Sequence, residues 1–281
     1  MWAGPFGPAA QRETRNETDI MRKSLLFVLA LGASLAAQQP AQTPRSLAPI
    51  DLTGNWVSIV TEDWRFRMVT PPKGDYASVP LNAAARAIAD KWDPAKDEAD
   101  GNACKSYGAA NIMRVPGRLH ISWQDDNTLK IETDAGQQTR LLHFGASAAA
   151  ASAEPSWQGY SEATWEFAGG RNPAAGGGRG GAGGGGGRGG AAPAPPRGGS
   201  LKVVTTRLKE GYLRKNGVPV SENAVVTEYF DRHDESDGSN WFTVTTVVND
   251  PKYLQQDFIT STHFKKEADA SKWFPSPCKA R

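Results

Sequence analysis

The sequence is poor in the side chains on which metal and nucleophilic sites depend. It contains two cysteines and four histidines among 281 residues. The histidines are His120, His143, His233 and His263. They form none of the short spacings, such as HxH or HExxH, that direct two ligands at one metal ion. The chain also lacks the Gly-x-Ser-x-Gly motif of serine hydrolases, and its glycine runs lack the strand–turn–helix context of a phosphate-binding loop. The sequence therefore predicts no metal ion, no cofactor and no catalytic residue.

Positive charge is scarce outside one glycine-rich segment. The formal net charge of the whole chain is +2. Four arginines in that segment have no acidic neighbour there: Arg171, Arg179, Arg188 and Arg197. Without them, and without the small excess near the N-terminus, the remaining body is slightly acidic. A basic face is therefore not expected, and neither is a nucleic-acid partner.

Long apolar runs are missing except near the N-terminus. The stretch from Met21 to Ala37 has two basic residues, a short apolar run at Leu25–Leu31 and then small residues. This is the layout of a secretory signal peptide, and the run is too short to remain as a membrane span. We predict that residues 1–37 are a signal peptide with an upstream extension and that residues 38–50 form a flexible leader. The mature protein is then exported, to the periplasm or out of the cell.

The two cysteines both lie in the exported part of the chain. In an oxidising compartment, Cys104 and Cys278 are expected to form one disulfide that fixes the C-terminal tail to the loop after the first helix. Two free thiols are the alternative, because the sequence does not show that the two positions come close in space.

What the chain has in quantity is the alternation of apolar and polar residues. Between Leu119 and Glu132 apolar residues recur at every second position, and a turn at 125–127 interrupts them. Further segments rich in β-branched and aromatic residues are Val225–Phe230, Trp241–Val248 and Phe258–Phe264. The connections are too short for crossover helices. The pattern predicts a mainly β domain over residues 51–281, an antiparallel meander closed into a barrel of about nine or ten strands.

Two local predictions accompany this fold. Leu81–Trp92 carries an apolar stripe at helical spacing and is predicted to be the one short helix. Phe66–Val69 is predicted to form a second strand before Pro71 and Pro72 end it. The segment 95–111 is predicted to be a charged loop.

A glycine-rich insert separates two segments with the pattern of one β-hairpin. Residues 169–200 are nearly all Gly, Ala, Pro and Arg, so they have almost no apolar surface to bury. We predict a disordered hairpin loop between Trp165–Phe167 and Leu201–Thr206. An Arg-Gly segment that binds RNA is the alternative, but export makes RNA an unsuitable partner.

Aromatic and charged residues concentrate in this hairpin and the strands after it. We predict a ligand-binding set of Trp157, Tyr160, Trp165, Glu166, Tyr212, Arg214 and Glu228. Aromatic area supplies affinity for an apolar group, and a few charges orient it. Ordinary packing of a sheet explains the same pattern. A third interpretation is that Glu166 and Glu228 act as paired carboxylates, or together with a histidine, in acid–base catalysis.

The motifs of the chain resemble a large group of exported, uncharacterised bacterial β-rich proteins. They are Gly54–Trp56, Pro80–Asn82, Pro155–Ser161, Trp165–Glu166, Leu201–Thr205, Gly217–Ser221, Val226–Phe230 and Asp250–Tyr253. In that group a short Gly-Asp-Thr turn stands where this chain has its insert, which favours the hairpin interpretation. The Gly-x-Trp opening is also similar to that of lipocalin-like barrels. The resemblance implies a fold and export but no activity.

These observations favour an exported barrel that binds a small apolar or amphipathic ligand. The alternatives are a secreted hydrolase or isomerase that uses Glu or His side chains, and a non-catalytic structural module of the cell envelope.

Overall fold

Alternating apolar and polar residues form the strands of the described chain. The computed structural model describes residues 1–2, 4, 42–145, 148–170 and 198–281. The strands described are β1 (Gly54–Ile59), β2 (Arg118–Asp125), β3 (Thr128–Thr133), β4 (Thr139–Phe144), β5 (Tyr160–Phe167), β6 (Gly199–Thr206), β7 (Gly211–Arg214), β8 (Val218–Val220), β9 (Val225–Asp234), β10 (Asn240–Asn249) and β11 (Phe258–Glu267). The predicted signal peptide lies outside the described residues.

Nine of these strands close a barrel in the order β1-β11-β10-β9-β6-β5-β4-β3-β2. β1 pairs antiparallel with both β2 and β11, which completes the ring. The prediction of a mainly β chain closed into a barrel is confirmed. β7 and β8 form a separate two-stranded sheet.

One pair of neighbouring barrel strands is parallel, which differs from the predicted antiparallel meander. β4 and β5 run parallel, with Leu142 opposite Ser161 and Phe144 opposite Ala163. Parallel neighbours need a connection of about a dozen residues or more. The chain between β4 and β5 meets that requirement and includes a short helix, so β5 starts at the same end of the barrel as β4.

The helical content also differs from the prediction of a single helix. The α-helices described are α1 (Trp64–Met68), α2 (Ala83–Ala89), α3 (Pro94–Ala99) and α4 (Ala148–Ser152), and the 3-10 helices are Ala103–Tyr107 and Ile112–Arg114. None of the described helices is long and apolar enough to cross a membrane.

Helix capping explains two of these differences. The Asn82 side chain accepts a hydrogen bond from the Ala85 amide at 2.9 Å, so α2 begins inside the predicted span. The Asp93 carboxylate accepts a hydrogen bond from the Ala95 amide and caps a further helix, α3, directly after the predicted one. The segment predicted as a loop at 95–111 is therefore partly helical.

The predicted strand Phe66–Val69 is also wrong, because most of it belongs to α1.

The inward-facing residues form three layers along the barrel axis. On β10 they are Phe242 and Val244 in a large apolar cluster, then Thr246, then Val248 in a second apolar cluster. The middle layer is a polar belt of buried side chains. We define it as Arg140, Ser161, Thr205, Glu228, Thr246, Thr260 and Thr262.

Both ends of the barrel are covered by other parts of the chain. At one end, Ala48 and Ile50 pack on the large apolar cluster, and the Trp165 indole donates to the Pro44 carbonyl at 2.8 Å. Part of the segment predicted as a leader therefore packs against the barrel. At the other end, α2 and the β7–β8 hairpin pack over the second apolar cluster.

The C-terminal tail returns to the body of the protein through a disulfide. Cys104 and Cys278 are bonded, with their Cα atoms 5.1 Å apart, which confirms the predicted pair. The Ser276 amide donates to the Asp134 carbonyl at 2.9 Å, and the Ala280 amide donates to the Glu98 carboxylate at 2.6 Å. The tail is thus held by a covalent bond and by hydrogen bonds that its backbone amides donate.

The two sides of the predicted hairpin are paired in the barrel. β5 and β6 are antiparallel, with Trp165 opposite Leu201 and Phe167 opposite Gly199. Residues 171–197 of the predicted insert lie outside the described residues. The last two residues of the predicted insert, Gly199 and Ser200, belong to β6.

Candidate functional site

Aromatic rings fill the interior of the barrel at the level of the large apolar cluster. Phe242 contacts Trp56, Phe264 and Phe230 at ring-centroid distances of 4.7, 4.8 and 6.1 Å. All four side chains are fully buried. The large apolar cluster therefore serves as a packed core at this level of the barrel.

Two of the residues predicted to bind ligand face the interior of the barrel. Trp165 belongs to the large apolar cluster and covers one end of it. Glu228 forms a buried ion pair with Arg140 of the polar belt. Both side chains are already engaged within the protein.

Three others lie on the outside of the sheet or at its end. Tyr160 stacks on His143 at 4.8 Å, and Glu166 is exposed. The Trp157 indole donates to the Glu210 carbonyl at 3.1 Å. Glu166 and Glu228 thus stand on opposite faces of the sheet, so this geometry does not let them act as a carboxylate pair on one substrate atom.

The last two predicted residues lie on β7, outside the barrel wall. The Tyr212 hydroxyl donates to the Asp97 carboxylate at 2.7 Å. Burial, followed by that hydrogen bond, raises the pKa of Tyr212 well above its usual range. A register shift in the β7–β8 pair lies between Tyr212 and Arg214, and the Arg214 side chain is turned into the protein.

Arg214 meets two arginines that the sequence analysis did not single out. We call Arg67, Arg114 and Arg214 the arginine cluster. Arg67 comes from α1, Arg114 from the second 3-10 helix and Arg214 from the end of β7, and all three are buried. The Arg67 Nε donates to the Arg114 carbonyl at 2.9 Å, which joins two of the three elements.

Two of the three guanidinium groups have a carboxylate partner. Arg67 pairs with Glu62 and also donates to the Ser58 hydroxyl at 3.0 Å. Arg114 Nη2 lies 3.0 Å from the Asp63 carboxylate. Burial lowers the pKa of Arg67, and the charge of Glu62 opposes this effect.

Arg214 is different because it has no carboxylate within ion-pair distance among the described residues. It is 3% exposed, donates from Nη1 to the Ala77 carbonyl at 2.9 Å, and lies over the Phe66 ring at 4.2 Å. Burial, followed by repulsion from Arg114, lowers the pKa of Arg214 to about 10. The charges of Asp63 and Asp75 act in the opposite direction, and the group is still a cation at neutral pH.

Arg114 and Arg214 also leave hydrogen-bond donors unused. Within the described part of the chain, Arg114 Nη1 and Arg214 Nε and Nη2 are buried and have no acceptor. Both residues line a cavity of about 20 Å³ that also contacts Phe66, Val115 and Pro116. This volume is enough for one water-sized group. The cavity therefore has cationic residues and apolar residues in its lining, and two of those cationic residues carry unused donors.

This chemistry suits an anionic oxygen and opposes a metal cation. Guanidinium groups present planar donors that match carboxylate and phosphate oxygens. Within the described residues, no three His, Cys, Asp or Glu side chains are grouped so that they could hold a metal ion. The four histidines make other contacts: His120 with Asn55, His143 with Tyr160, His233 with Glu235 and His263 with Thr243.

Comparison of the chain with protein-family models, with curated proteins and with solved structures gives no match.

Proposed function

We propose that the protein is an exported binding protein for a small amphipathic ligand, and that the arginine cluster binds the anionic group of that ligand. The observation that carries the proposal is Arg214, a buried cation that has no carboxylate partner and two free donor nitrogens. Strongly perturbed, incompletely paired groups beside a cavity are characteristic of functional sites.

The energetics favour an anion at this position. A buried charge without a partner costs several kcal/mol. An oxygen between Arg114 and Arg214 would accept hydrogen bonds from donors that are otherwise unused, and its charge would offset the repulsion between the two cations. Binding would therefore recover a cost that the ligand-free protein already bears.

The size of the cavity limits what enters it. A volume of about 20 Å³ accepts one oxygen-bearing group and not a whole ligand. The remainder of the ligand would lie at the mouth of the cavity, against Phe66 and Pro116. This differs from a lipocalin-like mode, in which the ligand occupies the interior of the barrel, because in this chain Phe242 and its neighbours fill part of that interior.

A structural module of the cell envelope is the second candidate function. The filled aromatic core around Phe242 favours it, because such a barrel is stable without a ligand. The two candidates differ in one measurable property, which is the affinity of the arginine cluster for anions.

The test uses the chain without its predicted signal peptide and four probes with the same octyl chain. Octanoate and octyl phosphate carry the anion, octanol has no charge, and octyltrimethylammonium carries a cation. We expect the two anions alone to raise the melting temperature, by ~2–4 °C for each kcal/mol of binding free energy, and to give saturable heats in calorimetry.

Arg214→Gln should remove this response to the anions. The matched control is Arg86→Gln, which removes an exposed arginine on α2 and should leave the response intact. Equal binding of octanol and octanoate, or no binding of either anion by the unmodified protein, would contradict the proposal and favour the structural module.

A further inference from the structure

Arg214 leaves one particular pair of its donor nitrogens unused. Its Nη1 donates to the Ala77 carbonyl at 2.9 Å, whereas Nε and Nη2 are buried and have no acceptor among the described residues. Nε and Nη2 lie on the same edge of a guanidinium group, and their N–H bonds run parallel. Such an edge binds both oxygens of a carboxylate at once, through two parallel hydrogen bonds. We call the Nε–Nη2 edge of Arg214 the free fork.

Two contacts fix the plane of the Arg214 guanidinium group. The hydrogen bond to Ala77 holds one corner of the group, and the centroid of the Phe66 ring lies 4.2 Å from its Cζ atom. The residue is buried, so water has little access to the side chain. The free fork is therefore held in one orientation before a ligand arrives, which lowers the entropic cost of binding.

The other two arginines of the cluster contribute one further donor. All three side-chain nitrogens of Arg67 have acceptors, namely the Arg114 carbonyl, the Glu62 carboxylate and the Ser58 hydroxyl. Arg114 Nη2 donates to the Asp63 carboxylate at 3.0 Å, and its buried Nη1 has no acceptor in the described part of the chain. The cluster thus has three buried donors without an acceptor there, two in the fork and one on Arg114.

The number of these donors distinguishes a carboxylate from a water molecule. Arg114 and Arg214 both line the cavity of about 20 Å³, which has room for one water-sized group. A water molecule has two lone pairs and no charge, so it would leave one donor unused and the Arg214 cation unpaired. A carboxylate has about four acceptor sites and one negative charge, so it would accept from all three donors.

The shape of the site distinguishes a carboxylate from tetrahedral anions. Both oxygens of a carboxylate lie in the plane of the fork when they accept from it. A sulfate or phosphate ester has a third terminal oxygen outside that plane, and a cavity of about 20 Å³ leaves little room for it. Two other polar residues of the lining direct a donor elsewhere, Lys215 to the Tyr107 hydroxyl and Asn111 to the Ser106 carbonyl.

We propose that the arginine cluster selects a carboxylic acid with an apolar chain, and that the free fork of Arg214 binds both oxygens of its carboxylate. Arg114 Nη1 would donate to one of the same oxygens. The inference rests on the proposed function, because it names the chemical class of the ligand at the same site. Fatty acids and the C-termini of short apolar peptides share this chemistry, and the experiment separates these two sources.

The experiment compares the affinities of four probes for the chain without its predicted signal peptide. Octanoate has a planar carboxylate, octyl sulfate has a tetrahedral group of the same charge, and octyl phosphate has a tetrahedral group of higher charge. N-acetyl-Leu-Leu presents a carboxylate at the end of a short apolar peptide.

Calorimetry should show that the planar group is preferred. We expect the better of the two carboxylates to bind about tenfold more tightly than octyl sulfate and octyl phosphate, which corresponds to one charge-assisted hydrogen bond. Tighter binding of octanoate assigns a fatty acid as the ligand, and tighter binding of N-acetyl-Leu-Leu assigns a peptide C-terminus. Either result supports the inference.

The decisive variant is Arg214→Lys, which keeps the positive charge and removes the fork. We expect this variant to bind the preferred carboxylate about tenfold more weakly than the unmodified protein does, and octyl sulfate with little change. The matched control is Arg86→Lys at an exposed arginine of α2, which should keep the preference. If Arg214→Lys does not fold, the order of affinities in the unmodified protein still tests the inference.

Two results would overturn the inference and leave the proposed function standing. If octyl sulfate or octyl phosphate binds as tightly as both carboxylates or more tightly, then charge and not planarity selects the ligand. If Arg214→Lys keeps the full preference for a carboxylate, then the fork does not bind it. The proposed function fails in a different way, when none of the four anions binds, and the inference then fails with it.

Discussion

Arg140 and Glu228 face each other inside the barrel, although their strands β4 and β9 are not neighbours in the sheet. Two hydrogen bonds join them, from Nη1 to Oε1 at 3.0 Å and from Nη2 to Oε2 at 2.6 Å. Their side chains are 1% and 0% exposed. Thr205 accepts a further bond from Arg140 Nη2 at 3.3 Å. The buried charge of Arg140 is thus paired with a carboxylate, whereas the buried charge of Arg214 has no carboxylate partner within ion-pair distance among the described residues. Substitutions at the two arginines can therefore be compared in one protein.

Breaking the Arg140–Glu228 pair should be costly, whereas replacing it whole should not. Arg140→Met leaves a buried carboxylate without a cation, and we expect the free energy of unfolding to fall by about 3–5 kcal/mol. Arg140→Met/Glu228→Leu removes both charges and should recover most of that loss. Urea denaturation of both variants measures the difference. Equal losses for the single and double variants would show that the two charges are not coupled.

Arg214→Met should behave in the opposite way to Arg140→Met. The substitution removes a buried cation that has no carboxylate partner, and it loses one hydrogen bond to Ala77 and the contact with Phe66. Removal of the unpaired buried charge favours the folded state, whereas loss of the hydrogen bond and of the ring contact opposes it. We therefore expect the free energy of unfolding to stay within about 1 kcal/mol of the unmodified protein or to rise. Urea denaturation under the same conditions is the measurement. A loss as large as that of Arg140→Met would mean that Arg214 is a structural residue.

The strands and the disulfide could be predicted from the sequence, whereas the arginine cluster could not. The strands and the inward-facing residues follow from a period of two, which is a local property. The disulfide was predicted from the export signal and the presence of only two cysteines. Arg67 and Arg114 carry no such signal, because a buried arginine looks like a surface arginine until distant segments pack on it. They are 47 positions apart and meet only through the fold.

The parallel pair β4–β5 was missed for a related reason. The connection between the two strands consists largely of alanine and serine, and this composition does not indicate which end of the barrel the chain reaches. Arg214 was included in the predicted ligand-binding set because of its aromatic neighbours in sequence. In the structure its relevant neighbours are Arg114 and Phe66.

The Cys104–Cys278 disulfide should contribute strongly to stability. It joins residues separated by 174 positions, and the chain-entropy model gives about 4–5 kcal/mol for a loop of this order. We expect Cys104→Ser/Cys278→Ser to lower the free energy of unfolding by up to that amount and to make the tail more susceptible to protease. Reduction of the unmodified protein with dithiothreitol should give the same urea transition as the double variant. Unchanged stability after reduction would show that the tail contacts alone hold the C-terminus.

The Tyr212–Asp97 hydrogen bond should make stability depend on alkaline pH. The pKa of Tyr212 is raised in the folded protein, whereas an unfolded tyrosine titrates near ~10. A group with a raised folded pKa stabilises the fold fully below the unfolded pKa, and this stabilisation is lost as the pH rises toward the folded pKa. The unmodified protein should therefore be more stable than Tyr212→Phe at pH ~8, and the difference should shrink above pH ~10.

The measurement for Tyr212 is a series of urea denaturations across this pH range. Titration of tyrosinate absorbance provides a second reading, in which the unmodified protein retains one more late-titrating phenol than Tyr212→Phe. Tyr76 donates to Asp90 at 2.8 Å, and burial, followed by this bond, raises its pKa to about 12, so Tyr76→Phe should show the same trend. A constant difference between the unmodified protein and Tyr212→Phe at every pH would contradict the assignment.

Removal of residues 171–197 should leave the barrel intact. The deletion joins Gly170 to Gly198 and makes a four-residue loop of Ala168, Gly169, Gly170 and Gly198 between β5 and β6. The pairing of Phe167 with Gly199 and the bond from the Ala168 amide to the Gly198 carbonyl at 3.2 Å show that the two ends already lie side by side. The three glycines have φ values of 80°, 70° and 88°, which glycine adopts readily in tight loops.

Loop entropy sets the direction of the effect of this deletion. Closing a shorter loop costs less, by about 1–2 kcal/mol for this change in length. We expect the melting temperature to stay the same or to rise by a few degrees (~2–4 °C per kcal/mol). A control that replaces the same residues with a Gly/Ser segment of equal length should melt with the unmodified protein, because only composition changes. If the deletion lowers the melting temperature by more than ~5 °C while the control does not, then the length of this segment, and not its sequence, is required for β5 and β6 to pair.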